Sequence, residues 1–417
     1  MRITKDQTEA GRMRTIYVEK NLPKMLLTKT LTPIWPGVVW SPLSAATVAD
    51  LPQPALPGPR WLRVRNLQCG ICATDLTLLF VEVDPSVAPA ALPGNQRLYL
   101  GHEVVSVVEA VGAGVTRVKP GDRVVMDTRF QGRHCLMQEI DPPCRHCADG
   151  NYGLCENASL GRGGFGQGGG WGDGYTAHET EVFRVPQALT LDQATLIEPM
   201  SVALHAVLRR PPQTGERVLI LGSGIIGLLT LQAVRAVAPD CHVTAVARYP
   251  HQAEAARRLG ATVVIGRADY PGVAQLTGGK FYAAPMNKGM VLGGFDLVYD
   301  CVGAGRTLED CLRWARAGGT VVLVGIKFTP LKLDLSPTWY QEVDLIGALA
   351  HGVDEWQGQR RPTYEWVVEW LLAGRLTDAG LITHRFPFER YREAVATSMA
   401  KGSRRPIKVV FDYQPPS

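Results

Sequence analysis

Hydrophobic and polar positions change rhythm once along this chain. From about Leu62 to Val125 short β-branched runs, such as Trp61-Leu62-Arg63-Val64-Arg65 and Val104-Val105-Ser106-Val107-Val108, alternate with glycine and proline. That alternation predicts half-buried strands in a loop-rich antiparallel domain. Val111-Gly112-Ala113-Gly114-Val115 and Lys119-Pro120-Gly121-Asp122 supply turns. The glycine-rich stretch 161–174 is poor in side chains and predicts a mobile surface loop. From about Met200 apolar strands alternate with amphipathic helices: 218–221, 242–247, 262–265, 296–300 and 320–325 read as strands. Strand and helix in alternation predict a parallel sheet with helices on its faces.

Glycine, proline and methionine interrupt that rhythm between Asp269 and Gly294, where an inserted loop is expected. A helix near 364–373 and strands near 381–386 and 407–411 close the chain and are expected to complete the first domain. The predicted organisation is therefore a first domain over 1–199, a dinucleotide domain over 200–352 and a returning segment over 353–417.

Gly222-Ser223-Gly224-Ile225-Ile226-Gly227 follows the first of those strands and opens an apolar helix. In that setting the first glycine permits a tight turn, the second lets a pyrophosphate approach, and the third lets helix and strand pack closely. Gly222, Gly224, Ile225, Ile226 and Gly227 are the expected phosphate cradle, with the helix amides on the phosphates. The next strand runs into Ala247, Arg248 and Tyr249, and no acid occurs from Cys241 to Ala253. A carboxylate for a free ribose 2′-hydroxyl is missing and an arginine stands in its place, which favours NADP over NAD.

Cys72, His102 and Glu198 offer sulfur, nitrogen and oxygen to a tetrahedral zinc with one position left for substrate. Zinc at such a site eases deprotonation of a bound alcohol and so prepares hydride transfer to a nicotinamide. Glu103 reads as a supporting acid or an exchangeable ligand, and Thr74 is placed to relay the alcohol proton. A second cluster contains Cys144, Cys147 and Cys155, three cysteines in a punctuated loop, which suits structural zinc. Its fourth ligand is open: Asp141 has the repeating spacing, Cys135 the better chemistry, and His146 and His134 are further candidates.

The chain has 417 residues, 46% of them apolar and 20% charged, and a formal charge of +5. Its basic residues are scattered, so no nucleic-acid partner is implied. No apolar run is long enough for a membrane span, and residues 1–30 lack the apolar core of a secretory signal. A cytoplasmic protein is expected, with an organellar transit peptide as the alternative. Cys241, Cys301 and Cys311 lie in apolar surroundings and read as buried hydrophobic residues.

Together these motifs resemble the zinc-dependent medium-chain dehydrogenase/reductase superfamily, which includes alcohol, sorbitol, threonine and glucose dehydrogenases. The resemblance runs from about Leu62 to Phe411 and includes the Gly112/Gly114 turn, Lys119-Pro120-Gly121-Asp122-Arg123-Val124 and Asp300-Cys301-Val302-Gly303. It implies an α/β fold: a doubly wound Rossmann domain beside a mainly β, GroES-like catalytic domain. It also implies catalytic zinc on Cys72, His102 and Glu198, with Glu103 beside them and Thr74 on the substrate hydroxyl. The glycines would hold the pyrophosphate, and Cys144, Cys147 and Cys155 would hold structural zinc.

Asp141 stands where the family has its first lobe cysteine, and Thr77 where some members have a relay histidine. Glutamate at 198 points to the polyol, sugar and threonine branch. Extra length falls near 81–97, 161–174 and 272–292. The expected activity is hydride transfer between an alcohol, polyol or sugar and NAD(P), in a homo-oligomer, a dimer or tetramer. The rivals are a zinc-independent enone or quinone reductase of the same fold, which should lack the thiolate, imidazole and carboxylate set, and a non-catalytic cofactor-binding protein, which need not keep Cys72, His102 and Thr74 together.

Overall fold

The computed structural model describes residues 11–84, 96–127, 134–158 and 166–414. They divide between two compact units. The first takes Met1–Leu196, His384–Ser398 and Val409–Ser417, and the second takes Ile197–Thr383 and Met399–Lys408.

The first unit contains a three-stranded sheet in which β1 (Arg12–Glu19) lies between β2 (Ala46–Pro52) and β4 (Arg97–Tyr99). Its main sheet is built on β3 (Trp61–Gly70), which pairs antiparallel with β5 (Glu103–Val111), β7 (Gly174–His178) and β20 (Lys408–Asp412). β6 (Arg123–Met126), β8 (Val182–Arg184) and β19 (Ile382–Phe386) extend it. Alternate residues of β3 and β5, among them Leu62, Val64, Val104 and Val108, enter one core with Trp171, Phe388 and Phe411. This is the mainly β domain the alternating text predicts.

The second unit is a six-stranded parallel sheet in the order β11 (Val263–Ile265), β10 (His242–Val246), β9 (Arg217–Leu221), β14 (Phe295–Asp300), β15 (Ala315–Leu323), β16 (Asp344–Gly347). Val218, Leu219 and Ile220 are fully buried, as expected for a central strand with helices on both faces. The helix Ile225–Val237 follows β9 and buries Leu228, Leu229, Leu231 and Val234.

Three expectations about the connections are corrected. The stretch 272–292 is no loop: the helix Tyr270–Thr277 precedes an antiparallel hairpin of β12 (Lys280–Ala284) and β13 (Asn287–Leu292). Asp269 caps that helix through the Gly272 amide, and Gly278 ends it at φ +67°, so ordinary start and stop signals were present in the text. The tail also divides. Residues 353–383, with the hairpin β17 (Val353–Trp356) and β18 (Gln359–Pro362), belong to the second unit, because the helix Thr363–Leu372 packs on the helix Ile197–Arg209 and buries Tyr364, Trp366, Val367, Trp370 and Leu371.

The glycine-rich stretch is the third. Residues 161–165 lie outside the described residues, as do 85–95 of the 81–97 insertion. Residues 168–174, however, form a packed strap. The Trp171 side chain is wholly buried, its amide donates to the Leu100 carbonyl at 2.9 Å, and the Gly170 amide donates to the Gly101 carbonyl at 2.8 Å. A Cβ on Gly170 would stand 2.4 Å from Cys69 Sγ. The absent side chains bring backbone against core instead of freeing it.

Candidate active site and metal centres

β3 ends at Gly70, and Cys72 is the N-cap residue of the short helix Ala73–Leu79. His102 lies in the turn before β5, and Glu103 is the first residue of that strand, paired with Gly70 across the sheet. The register thus carries the three side chains to one end of β3 and β5. Donor atoms of Cys72, His102 and Glu103 all lie within 4.8 Å of one another. Glu103 is 1% exposed and His102 9%. Gly70 is required for this approach, because a Cβ there would stand 2.1 Å from Glu103 Oε2.

Asp75, which the sequence reading passed over, organises the cluster. Its carboxylate lies 3.3 Å from His102 Nδ1, accepts the Gly101 amide at 2.8 Å and accepts the Cys72 amide at 3.2 Å. Burial alone pushes the His102 imidazole down, but Asp75 and the Cys72 sulfur outweigh it and hold the ring well above its ordinary range. The signal for Asp75 was available: it is the third residue after a helix N-cap, where a carboxylate reaches back to the cap amide. Thr74 sits half-buried in the first turn of the same helix.

Thiolate, imidazole and carboxylate around one point, with the imidazole held from behind by a buried acid, fit a zinc ion. Glu198 lies in the second unit, in the first turn of the helix Ile197–Arg209, 4% exposed. The carboxylate grouped with Cys72 and His102 is Glu103.

The second cluster gathers Cys135, Cys144, Cys147 and Cys155, again with all donor atoms within 4.8 Å. Of the candidates left open for the fourth position, Cys135 is the one in the group, and Asp141 is exposed and outside it. His146 lies 3.8 Å from Glu156, while His134 Nε2 is 3.0 Å from Thr180 Oγ1 and its ring stacks on Tyr152. Cys135 and Cys155 are 3.7 Å apart, sulfur to sulfur. That is far beyond a disulfide and close to the ~3.8 Å edge of a zinc tetrathiolate with bonds of about 2.3 Å. The Cys144 and Asn157 amides donate to Cys135 and Cys155 sulfur at 3.4 and 3.3 Å, and the Asn157 side chain donates to Cys135 at 3.3 Å. Burial pushes Cys147 and Cys155 up, whereas backbone amides of Glu156 and Cys147 outweigh burial at Cys144 and bring it down to about 7. A central cation would favour the thiolate at all four.

The nucleotide turn has the three distinct glycines its spacing predicts. Gly222 adopts φ +99°. A Cβ on Gly227 would meet the Gly222 carbonyl oxygen at 1.8 Å, whereas one on Gly224 would meet nothing within 4 Å. Gly224 is the N-cap of the helix that starts at Ile225 and Ile226, so open space lies before unpaired helix amides. Ser223 Oγ donates to the Val246 carbonyl at 2.9 Å and ties the turn to the end of β10. There Arg248 is exposed, its guanidinium 5.6 Å from the Tyr249 ring centroid. Behind the turn, Asp300 accepts the Val302 and Gly303 amides at 2.9 and 3.1 Å.

Known proteins resemble both domains of the chain. The family model for the alcohol dehydrogenase GroES-like domain matches residues 58–187, and that for zinc-binding dehydrogenase matches 226–369. L-idonate 5-dehydrogenase of Vitis vinifera is 29% identical over 360 residues, 85% of this chain and 88% of that protein. Sorbitol dehydrogenase of Arabidopsis thaliana is 28% identical over 368 residues, covering 85% and 89%. The crystal structure of 2R,3R-butanediol dehydrogenase from Bacillus subtilis superposes with a TM-score of 0.69 at 21% identity, over 96% of this chain and all of that one, and so shares the fold. With catalytic and Rossmann domains both matched, the chain belongs to the zinc-dependent medium-chain dehydrogenase superfamily and is an NAD(P)-dependent dehydrogenase.

Proposed function

We propose that this enzyme oxidises a secondary hydroxyl of a polyol or sugar, or reduces the matching ketone, using NADP in preference to NAD. The convergence of Cys72, His102 and Glu103 with Asp75 behind His102 carries the reading. The polyol class is supported by the relatives named above, which include an idonate and a sorbitol dehydrogenase. The NADP preference rests on Arg248 and on the missing acid at the end of β10.

In this reading Cys72 and His102 hold catalytic zinc with a carboxylate: Glu103 is the one grouped with them, and Glu198 is the ligand expected from the sequence. Held by these residues, zinc would supply Lewis acidity toward a substrate hydroxyl, and a bound nicotinamide would supply the hydride acceptor. The protein's own part is positioning. Asp75 fixes the His102 ring, Gly70 leaves room for the Glu103 carboxylate, and Thr74 takes the substrate hydroxyl proton. Gly222, Gly224, Ile225, Ile226 and Gly227 hold the pyrophosphate against helix amides. Cys135, Cys144, Cys147 and Cys155 hold a structural zinc.

We place the enzyme in the cytoplasm, since none of its nine cysteines is paired in a disulfide. Among the described residues no helix is long and apolar enough to cross a membrane. A homo-oligomer is expected, with β16 as an outer strand of the parallel sheet. A panel of secondary alcohols, polyols and aldoses, followed by cofactor absorbance with NADP and with NAD, tests the reading. Turnover of polyols with NADP supports it, and no turnover of any hydroxyl substrate with either nucleotide overturns it.

A further inference from the structure

β10 and β11 pair in parallel through Thr244↔Val263, Ala245↔Val264 and Val246↔Ile265, and the Ala247 amide still donates to the Ile265 carbonyl at 2.9 Å. Two residues beyond the last pair, each strand carries an arginine: Arg248 on one, Arg267 on the other. Equal offsets on adjacent parallel strands leave the sheet at the same end, from strands about 5 Å apart. Both arginines are exposed, and neither has a carboxylate partner among the described residues. The acid nearest Arg267 in the chain, Asp269, has its carboxylate on the Gly272 amide at 2.8 Å.

A third basic segment reaches the same place from the far end of the chain. Gly402, in the turn Lys401-Gly402-Ser403-Arg404-Arg405, lies against Tyr249, where a Cβ would stand 3.5 Å from Cε1. Arg405 in that turn adopts φ +55°, a strained conformation for a side chain of its size. Like charges gathered at one strand end repel until an anion joins them. A dianionic phosphate monoester is the anion a guanidinium pair grips best.

We propose that Arg267 acts with Arg248 to clamp the 2′-phosphate on the adenosine ribose of NADP, with the 401–405 turn as a basic wall beside Tyr249. This makes Arg267 a specificity-determining residue, and the inference rests on the NADP reading above. The second strand of a dinucleotide fold ends where that ribose oxygen sits, and the third strand, β11, supplies the other half of the clamp.

The test is calorimetric binding of NADPH, NADH, 2′,5′-ADP and 5′-AMP to the full chain and to its Arg248→Gln and Arg267→Gln variants. The wild type is expected to favour NADPH. Arg267→Gln should weaken NADPH and 2′,5′-ADP by roughly ten- to a hundredfold, the worth of a charged hydrogen bond, and leave NADH and 5′-AMP within about twofold. Retained NADH binding also reports that the variant is folded. A wild type that favours NADPH, loses the preference in Arg248→Gln and keeps it in Arg267→Gln overturns the clamp and leaves the NADP reading standing. A wild type indifferent to the phosphate overturns both, and equal loss of all four ligands in Arg267→Gln assigns Arg267 a structural role and overturns the clamp.

Discussion

The Asp75 carboxylate stands 3.3 Å from His102 Nδ1 while it holds the backbone amides on either side of the cluster, those of Gly101 and Cys72. One buried acid therefore sets both the position of two proposed metal donors and the orientation of the ring; with Nδ1 facing Asp75, Nε2 would be the nitrogen offered to an ion. Asp75→Asn keeps the shape and removes the charge. Zinc affinity at this site is expected to fall about 10–100-fold, read by competition with a chromogenic chelator, with the cysteine lobe still loaded. Unchanged affinity contradicts the role given to Asp75.

Gly70 and Glu103 face each other across β3 and β5, and the glycine is needed for space. Gly70→Ala puts a methyl group 2.1 Å from Glu103 Oε2, so the carboxylate must move. Overpacking of this kind costs about 1–3 kcal/mol. We expect a lower Tm together with loss of zinc from this centre alone, measured by thermal melts and metal analysis of the same sample.

The cysteine lobe separates two candidate fourth ligands cleanly. Cys135→Ser should release the structural zinc and lower thermal stability, whereas Asp141→Asn should leave metal content and Tm unchanged. The reverse pattern would give the fourth position to Asp141.

In the nucleotide turn, two glycine substitutions should fail differently. Gly227→Ala drives a methyl group to 1.8 Å from a backbone carbonyl and should cost about 3 kcal/mol of stability. Gly224→Ala meets open space, so the fold should survive while the approach of a pyrophosphate is blocked. Melting curves with and without NADPH distinguish them: the first variant melts early in both, and the second melts normally but loses the shift the nucleotide confers.

Much of this architecture was legible because its signals are local. The strand, glycine turn and apolar helix around Gly222 are contiguous, and the β-branched rhythm from Trp61 to Val125 marks a half-buried sheet. Which carboxylate stands with Cys72 and His102 was harder to read, since from the sequence Glu103 reads only as a supporting acid or an exchangeable ligand and Glu198 as the ligand. Glu103 joins Cys72 through the pairing of β3 with β5, and register between strands over thirty residues apart is not written in either strand. Cys135 stayed one candidate among several for a related reason: eight residues of irregular chain separate it from Cys144, whereas Asp141 satisfied a tidy spacing. The glycine strap at 168–174 was misread because low side-chain content was equated with looseness. Arg14, which donates its amide to Asp173 within that strap, lies in an N-terminal sheet whose strands drew no expectation at all.

The account depends most on Cys72, His102 and a carboxylate sharing one zinc ion that the reaction needs. The direct measurement is metal stoichiometry and NADP-linked oxidation of a polyol in wild type, Cys72→Ser, Glu103→Gln and Glu198→Gln, each checked for an intact fold by NADPH binding. About two zinc ions per chain are predicted for the wild type, and about one in Cys72→Ser and Glu103→Gln, with nucleotide still bound and turnover reduced at least about a thousandfold. Cys72→Ser that keeps both its full metal content and its activity, or a wild type that oxidises the polyol unimpaired after complete removal of zinc, would contradict it.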